Sequence, residues 1–326
     1  MSTSVVLGAG ATHCGKRSHN EDAFFVDNDL GLYIVADGVG GQDAGEIASK
    51  IVCQVLPERI RAGVAMADAV QEAHFAIANA ITKGQGKPGM ASTVVALLVR
   101  NDLFEVAWLG DSRVYIWDGH LKLLSRDHSL VETLLASGEI DLDQAQNHPK
   151  KNIILAALGG GDANINVGQN GGVLRSKTRF LLCSDGLTDI VGPKRVSEVL
   201  NSIEDTSEAC ATLVADAVSG QGRDNITAIV VDVVNAPVAS DEPDEHAQIV
   251  HTYNPEKDEY TYHRKDRVLL SSKVKKLMPL PREQEVVNDT KVNPVVDLSG
   301  SKPLPWFNLL MSACILLVVL LLLILL

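Results

Sequence analysis

Acidic residues recur in this sequence at the ends of short apolar runs. The acids are Glu21 and Asp22, before residues 23–25; Asp37, after residues 32–36; Asp111, after residues 106–110; Asp185, after residues 180–184; and Asp224, before residues 226–233. If these side chains converge, they repel one another unless a cation lies between them. Oxygen ligands without histidine or cysteine suit magnesium or manganese better than zinc. The pattern therefore predicts a site for hard divalent cations.

A structural role is the alternative for each acid taken singly. Aspartate caps turns and helices, and Asp-Gly, as at residues 37–38 and 185–186, is a common turn pair. Six such acids in one chain favour a metal site. Glycine next to Asp37 lets the backbone approach closely, so the Gly38 carbonyl is itself a candidate ligand.

The elements that must position these acids alternate in character within the first 235 residues. Short β-type runs predict strands, and residues 44–60, 66–81, 129–136 and 207–218 have helical spacing. Strand pairs separated by tight turns, with the helices grouped, favour an α+β sandwich over a doubly wound sheet. We therefore predict two antiparallel sheets packed as a β-sandwich and flanked by helices.

Composition limits the function classes. The chain has 326 residues and a formal net charge of −12, which argues against nucleic-acid binding because phosphate contacts need a basic surface. The five cysteines are scattered, without a Cys-x-x-Cys pair, which excludes a disulfide framework and a cysteine-rich zinc site. Residues 1–235 are thus predicted to form a cytosolic domain.

The C-terminal third differs from this domain. Residues 236–305 hold eight of the twelve prolines and mixed charges, which predicts a flexible tether. Residues 306–326 are almost wholly apolar, and 21 helical residues span about 31 Å, enough for a bilayer core of about 30 Å. We expect a single transmembrane helix that anchors the protein in the cytoplasmic membrane.

Five segments resemble motifs of the metal-dependent Ser/Thr protein phosphatases of type 2C, in their compact bacterial form. In order along the chain they are residues 17–22 (RSHNED), 37–41 (DGVGG), 110–113 (GDSR), 184–189 (SDGLTD) and 224–225 (DN). The resemblance runs from about residue 5 to 234 and does not cover the tether or the tail. It implies the predicted sandwich, with a two-metal centre at one edge.

The resemblance also implies a role for each residue of the site. Asp37 would bridge two ions, Mn²⁺ or Mg²⁺, Gly38 would bind through its carbonyl, and Asp185 and Asp224 would complete the ligands of one ion. Asp22 and Glu21 would act through metal-bound water, and Asp111 and Asp189 would hold a weaker third ion. Arg17 would bind the substrate phosphate. Two cations lower the pKa of a shared water, which supplies hydroxide near neutral pH. Many eukaryotic members have a histidine at the position of Val39. A valine side chain has no proton to give to the leaving alcohol.

The implied function is hydrolysis of phosphoserine and phosphothreonine in proteins on the cytosolic side of the membrane, opposing a Ser/Thr kinase. Phosphorylated proteins and, through the C-terminal helix, the membrane are the expected partners. The alternatives are a non-catalytic phosphoprotein-binding scaffold, or pseudophosphatase, and a membrane signalling adaptor. Loss of metal ligands would favour the scaffold, but each predicted ligand is present.

Overall fold

A computed structural model describes residues 5–40, 44–161, 163–236 and 247–263. They belong to the first of two compact units, Met1–Arg282; the second unit, Glu283–Leu326, lies outside the described residues. In the part of the chain that the structure describes, no helix is long and apolar enough to cross a bilayer. The predicted membrane helix at 306–326 falls outside that part.

The described strands form two large antiparallel sheets and one small one. The first sheet, in spatial order, contains β1 (Val5–His13), β12 (Ile226–Asn235), β11 (Arg179–Cys183), β8 (Arg113–Trp117), β9 (Leu121–Leu123), β13 (His251–Asn254) and β14 (Glu259–Tyr262). The second contains β10 (Gly168–Val173), β7 (Leu103–Leu109), β6 (Val94–Arg100), β3 (Leu32–Ala36) and β2 (Ala23–Asp27), and a two-stranded sheet pairs β4 (Gly38–Val39) with β5 (Ala91–Ser92).

Helices cover the outer faces of both large sheets. The helices are α1 (Ala44–Arg61), α2 (Met66–Thr82), α3 (Leu130–Ser137), α4 (Leu142–Gln146), α5 (Asp185–Thr188), α6 (Pro193–Ser202) and α7 (Thr206–Ser219). Helices α1 and α2 pack on the second sheet, and α5 to α7 pack on the first. The predicted α+β sandwich flanked by helices is therefore confirmed.

Alternation along β3 shows how the layers form. Leu32 and Ile34 pack with the core under α1 and α2, whereas Tyr33 and Val35 pack between the two sheets. All five residues of β3 are fully buried. A strand buried on both faces reads as a continuous apolar run, which is why this segment is easy to identify in the sequence.

The prediction of a tether beginning at residue 236 is wrong for residues 247–263. Strand β13 pairs with β9 and with β14, so this segment extends the first sheet by two strands. Its side chains alternate, with His251 and Tyr253 buried and Thr252 half-buried between them. Proline and charge counts averaged over 70 residues hide this short two-residue period.

Trp108 is the largest side chain in the core between the sheets, and it is buried. Its indole Nε1 donates to the Arg126 carbonyl at 2.7 Å. We expect Trp108→Ala to lower the free energy of unfolding by about 3–5 kcal/mol, because it leaves a cavity and an unpaired carbonyl. Denaturant unfolding measures this. Asn79→Ala, at an exposed position of α2, is the control and should change stability by less than about 0.5 kcal/mol.

Candidate metal-dependent active site

The ends of several strands bring the predicted acids to one edge of the sandwich. Antiparallel pairing places the end of β11 beside the start of β12 and the start of β2 beside the end of β3. Strand β7 ends beside the start of β6, so Asp111 lies at the same end. We call this edge, with Asp22, Asp37, Asp111, Asp185 and Asp224, the acidic edge.

Asp37 is half-buried and lies at the centre of the acidic edge. Its backbone is fixed by the neighbouring segment: its N–H donates to Thr93 Oγ1 at 3.1 Å, and its carbonyl accepts from the Thr93 N–H at 2.8 Å and from the Ser92 hydroxyl at 3.1 Å. Burial, reinforced by the charges of the other four acids, raises the pKa of Asp37 well above its usual value. The other four carboxylates therefore all lie within electrostatic range of Asp37.

Asp22 is held by two hydroxyl groups. Ser184 and Thr227 donate to its Oδ2 at 2.8 Å and 2.6 Å. Desolvation raises the pKa of Asp22 to about 6 in spite of these bonds. Its Oδ1 is buried and has no hydrogen-bond partner among the described residues.

Two further carboxylate oxygens are buried without a partner in the described part of the chain. They are Oδ1 of Asp111 and Oδ1 of Asp185. Burial raises the pKa of Asp111 to about 7 and that of Asp185 well above its usual range. Buried polar atoms are nearly always hydrogen-bonded, so unpartnered anionic oxygens at one edge point to a cation as the missing partner.

Gly38 and Glu21 occupy the close approach between β4 and the start of α1. A Cβ atom at Gly38 would collide with the carbonyl oxygens of Gly45 and Glu21, so only glycine fits there. The Gly38 N–H donates to the Glu21 carbonyl at 3.2 Å. The Glu21 side chain accepts from the Gly45 N–H at 3.3 Å, which places this carboxylate at the first turn of α1.

Arg17 lies at the mouth of the acidic edge. It is 57% exposed and donates through Nη2 to Asp224 Oδ2 at 2.8 Å. Asn225 fixes the loop that carries Arg17, since its amide donates to the carbonyls of Cys14 at 3.1 Å and His19 at 2.8 Å. The hydrogen bond to Asp224 raises the pKa of Arg17, and the charges of Asp224, Glu21 and Asp37 raise it further.

Asp189 is an exposed acid beside the acidic edge. Its Oδ1 pairs with Lys151 at 3.0 Å, and its side chain is 41% exposed. Its charge nevertheless raises the pKa values of Asp185 and Asp111, so it borders the same edge.

The donor set fits hard cations, although in this part of the chain no three acid, histidine or cysteine side chains form a preformed metal cage. This agrees with the predicted ligands, since they include a shared carboxylate, a backbone carbonyl and water. In addition, the hydrogen bond from Arg17 occupies one oxygen of Asp224. Sequence reasoning missed the neutral side chains that hold the acids: Ser92, Thr93, Ser184, Asn225 and Thr227. Ser184 and Asn225 stand inside the acidic motifs, and Thr227 follows closely, so their position could have pointed to these roles, whereas Ser92 and Thr93 lie far from the motifs in the sequence.

Comparisons with known proteins agree with this geometry. The family model described as protein phosphatase 2C matches residues 9–219. The serine/threonine phosphatase Stp of Listeria monocytogenes is 35% identical over 230 residues, which are 66% of this chain and 91% of that protein.

Two solved structures are also similar. The Mycobacterium tuberculosis serine/threonine phosphatase PstP/Ppp is 32% identical, with a TM-score of 0.66 over 71% of this chain and all of that one. The catalytic domain of PstP in complex with two manganese ions is 32% identical, with a TM-score of 0.65 over 72% of this chain and all of that one. The chain therefore belongs to the protein phosphatase 2C family and is, like these relatives, a serine/threonine phosphatase.

Proposed function

We propose that this protein hydrolyses phosphoserine and phosphothreonine in other proteins, with two divalent cations held at the acidic edge. The convergence of five acids from both sheets, with three buried oxygens that lack partners in the described chain, is the observation that carries the proposal. The manganese ions bound to the PstP catalytic domain support the choice of cation.

The residues divide into ligands and supporting groups. Asp37 would be shared by both ions, the Gly38 carbonyl would be a further ligand, and Asp185 and Asp224 would complete the ligands of one ion. Asp22 and Glu21 would act through water, and Asp111 with Asp189 would hold a weaker third ion. When bound, the cations would activate the attacking water and neutralise charge on the phosphate.

The chain's own residues supply binding and orientation. The Arg17 guanidinium, exposed at the mouth, can donate two parallel hydrogen bonds to phosphate oxygens. Ser184 and Thr227 fix the orientation of the Asp22 carboxylate, and Thr93 fixes the backbone of Asp37. These neutral hydroxyls hold the acids without adding charge to a site that must accept both cations and a phosphate.

Activity of the full-length chain in detergent on a phosphothreonine peptide tests the proposal. We expect turnover with manganese, loss of turnover with a chelator, and recovery when manganese is restored. Turnover that persists after chelation, or none with manganese, would contradict the metal-dependent mechanism.

The metal effect on stability should depend on pH. Asp22 and Asp111, whose folded pKa values are about 6 and about 7, keep protons in the folded state at a pH where the unfolded chain has released them. Without cations, the folded state therefore loses stability as the pH rises through these values. Manganese binds the ionised carboxylates, so it should raise the melting temperature more at pH 8 than at pH 5. Thermal unfolding with and without manganese measures this, and an equal or larger rise at pH 5 would contradict it.

We also propose that residues 306–326 anchor the enzyme in the cytoplasmic membrane, with the catalytic unit in the cytosol, where it opposes a Ser/Thr kinase. The support is the apolar length of this segment in the sequence. The full chain should stay in the membrane pellet through alkaline washing, and a chain ending at residue 305 should not. A full chain that is released by the wash would refute the anchor.

A further inference from the structure

A cleft of about 460 Å³ opens beside the acidic edge, and two of the predicted metal ligands, Asp111 and Asp185, line it. Two basic side chains, Arg113 and Lys151, also line it. Arg113 donates three hydrogen bonds of 2.7–3.1 Å to Asp127, which is not a predicted ligand. Lys151, in contrast, pairs with an acid that is predicted to bind metal.

The partner of Lys151 is Asp189, the exposed acid beside the acidic edge. The Lys151 Nζ donates to Asp189 Oδ1 at 3.0 Å. The two side chains are 43% and 41% exposed, so water can replace either partner, and an ion pair of this kind is weak. Lys151 is therefore a cation that another cation can displace.

Asp189 is close to both buried acids of the cleft. Its N–H donates to the Asp185 carbonyl at 2.8 Å at the end of the single-turn helix α5, and residues four apart on a helix share a face. The charge of Asp189 raises the pKa values of Asp185 and Asp111, so its carboxylate lies within electrostatic range of both. Asp111 Oδ1 is buried without a hydrogen-bond partner among the described residues. These oxygens suit a weakly held divalent ion.

The backbone around Lys151 is held independently of the ion pair. The Lys151 N–H donates to the His148 carbonyl at 3.1 Å, and the Ile153 carbonyl accepts from the Leu130 N–H of α3 at 3.0 Å. Rotation of the lysine side chain is thus sufficient to move the ammonium group away from Asp189.

We propose that Lys151 and the third cation exclude each other at Asp189, so that Lys151 sets the affinity of the third site. The inference rests on the proposed function, since it assumes that Asp111 and Asp189 hold a third ion. Asp189 has a second oxygen, but a divalent ion bound there would still stand close to the ammonium group, and like charges repel. Filling the third site therefore requires Lys151 to leave.

Manganese binding to the metal-free, full-length chain in detergent tests this inference without measuring turnover. Equilibrium dialysis at constant pH and ionic strength gives the ions bound per chain at each free concentration. We expect two tighter sites and a weaker third site. Lys151→Met removes the charge from a long side chain and should lower the Kd of the third site by about threefold to fivefold, as loss of an exposed ion pair allows. The tighter sites should change by less than about twofold, because salt screens more distant charges.

Two variants separate the ion pair from net charge. Lys150→Met is the matched control, because Lys150 is exposed in the same segment and has no ion pair in the part of the chain that the structure describes. It should change the Kd of the third site by less than about twofold. In an Asp189→Asn background, Lys151→Met should have no further effect, since the carboxylate for which the two cations compete is absent.

The reverse effect gives a second readout, because linkage between two binding events is reciprocal. An N-hydroxysuccinimide ester acylates lysine side chains, and mass spectrometry locates the label. Labelling of Lys151 relative to Lys150 should rise as manganese fills the third site. The Asp189→Asn chain should show no such rise.

The outcomes separate this inference from the proposed function. If no manganese binds, the metal-dependent function fails. If manganese binds but Lys151→Met matches Lys150→Met, or if the wild type and Lys151→Met each bind only two ions, Lys151 does not control a third site. If Lys151→Met lowers the melting temperature without altering the third Kd, the ion pair is structural only. A labelling ratio that stays constant as manganese rises would also overturn the exclusion.

Discussion

Replacing Asp37 with asparagine is expected to lower kcat for a phosphothreonine peptide by about a thousandfold or more. Asp37 is the acid on which the charges of the other four act, and it is the predicted shared ligand of both cations. Asparagine has nearly the same shape but lacks the negative charge that holds two cations together. Steady-state kinetics at saturating manganese measures the loss, and Asp185→Asn should have an effect of the same order.

The stability of Asp37→Asn distinguishes loss of a ligand from loss of the fold. Burial and like charges raise the pKa of Asp37, so a neutral side chain removes repulsion from the metal-free protein. Its melting temperature at pH 8 without metal should equal or exceed that of the wild type. Asp68→Asn, an exposed acid on α2, should keep full activity. Near wild-type turnover by Asp37→Asn would show that the ligand assignment is wrong.

Replacing Arg17 with alanine is expected to lower kcat/KM by about a hundredfold, because the phosphate loses a charged, bidentate donor. The bond to Asp224 uses one of the five N–H donors of the guanidinium. Arg17→Lys should recover part of the loss, since an ammonium group keeps the charge but cannot donate two parallel bonds. Peptide kinetics of the three forms measures the difference.

Lys16 provides a matched control for Arg17. It is exposed in the same loop and bonds Gln221 at 3.1 Å. Lys16→Ala should change kcat/KM by less than about threefold, because an exposed charge away from the reacting groups contributes little. An equal loss in Lys16→Ala and Arg17→Ala would indicate a general effect of surface charge and contradict specific phosphate binding.

Much of this fold can be predicted from the sequence because buried positions produce recognisable patterns of apolar residues. Strands β3 and β11 are buried on both faces, so each contains a continuous apolar run, residues 32–36 and 180–183, with an acid just beyond it. The acids themselves are identifiable because carboxylates at the ends of buried strands are costly to desolvate unless they bind a partner. What links them is tertiary, since Asp37 and Asp185 come from different sheets.

Other features of the fold are only weakly indicated by the sequence. Strand β1 is rich in glycine and alanine, and β10 reads GQNGGV, so neither has the composition typical of strands. Gly8 and Gly168 are required because a Cβ atom there would collide with Tyr33 and Trp108, contacts that only the folded chain reveals. The hairpin at 247–263 is short and polar on one side, and its stability depends on pairing with β9.

The pairing of β9 with β13 has a practical consequence for recombinant work. A clone that stops near residue 235, where the resemblance to compact bacterial relatives ends, would leave β9 as an open edge with Leu121 and Leu123 beside it. Exposed edges recruit other chains through their free amide and carbonyl groups. Such a truncated preparation should self-associate on storage. A clone that extends to residue 263 keeps β13 paired with β9 and should remain monodisperse.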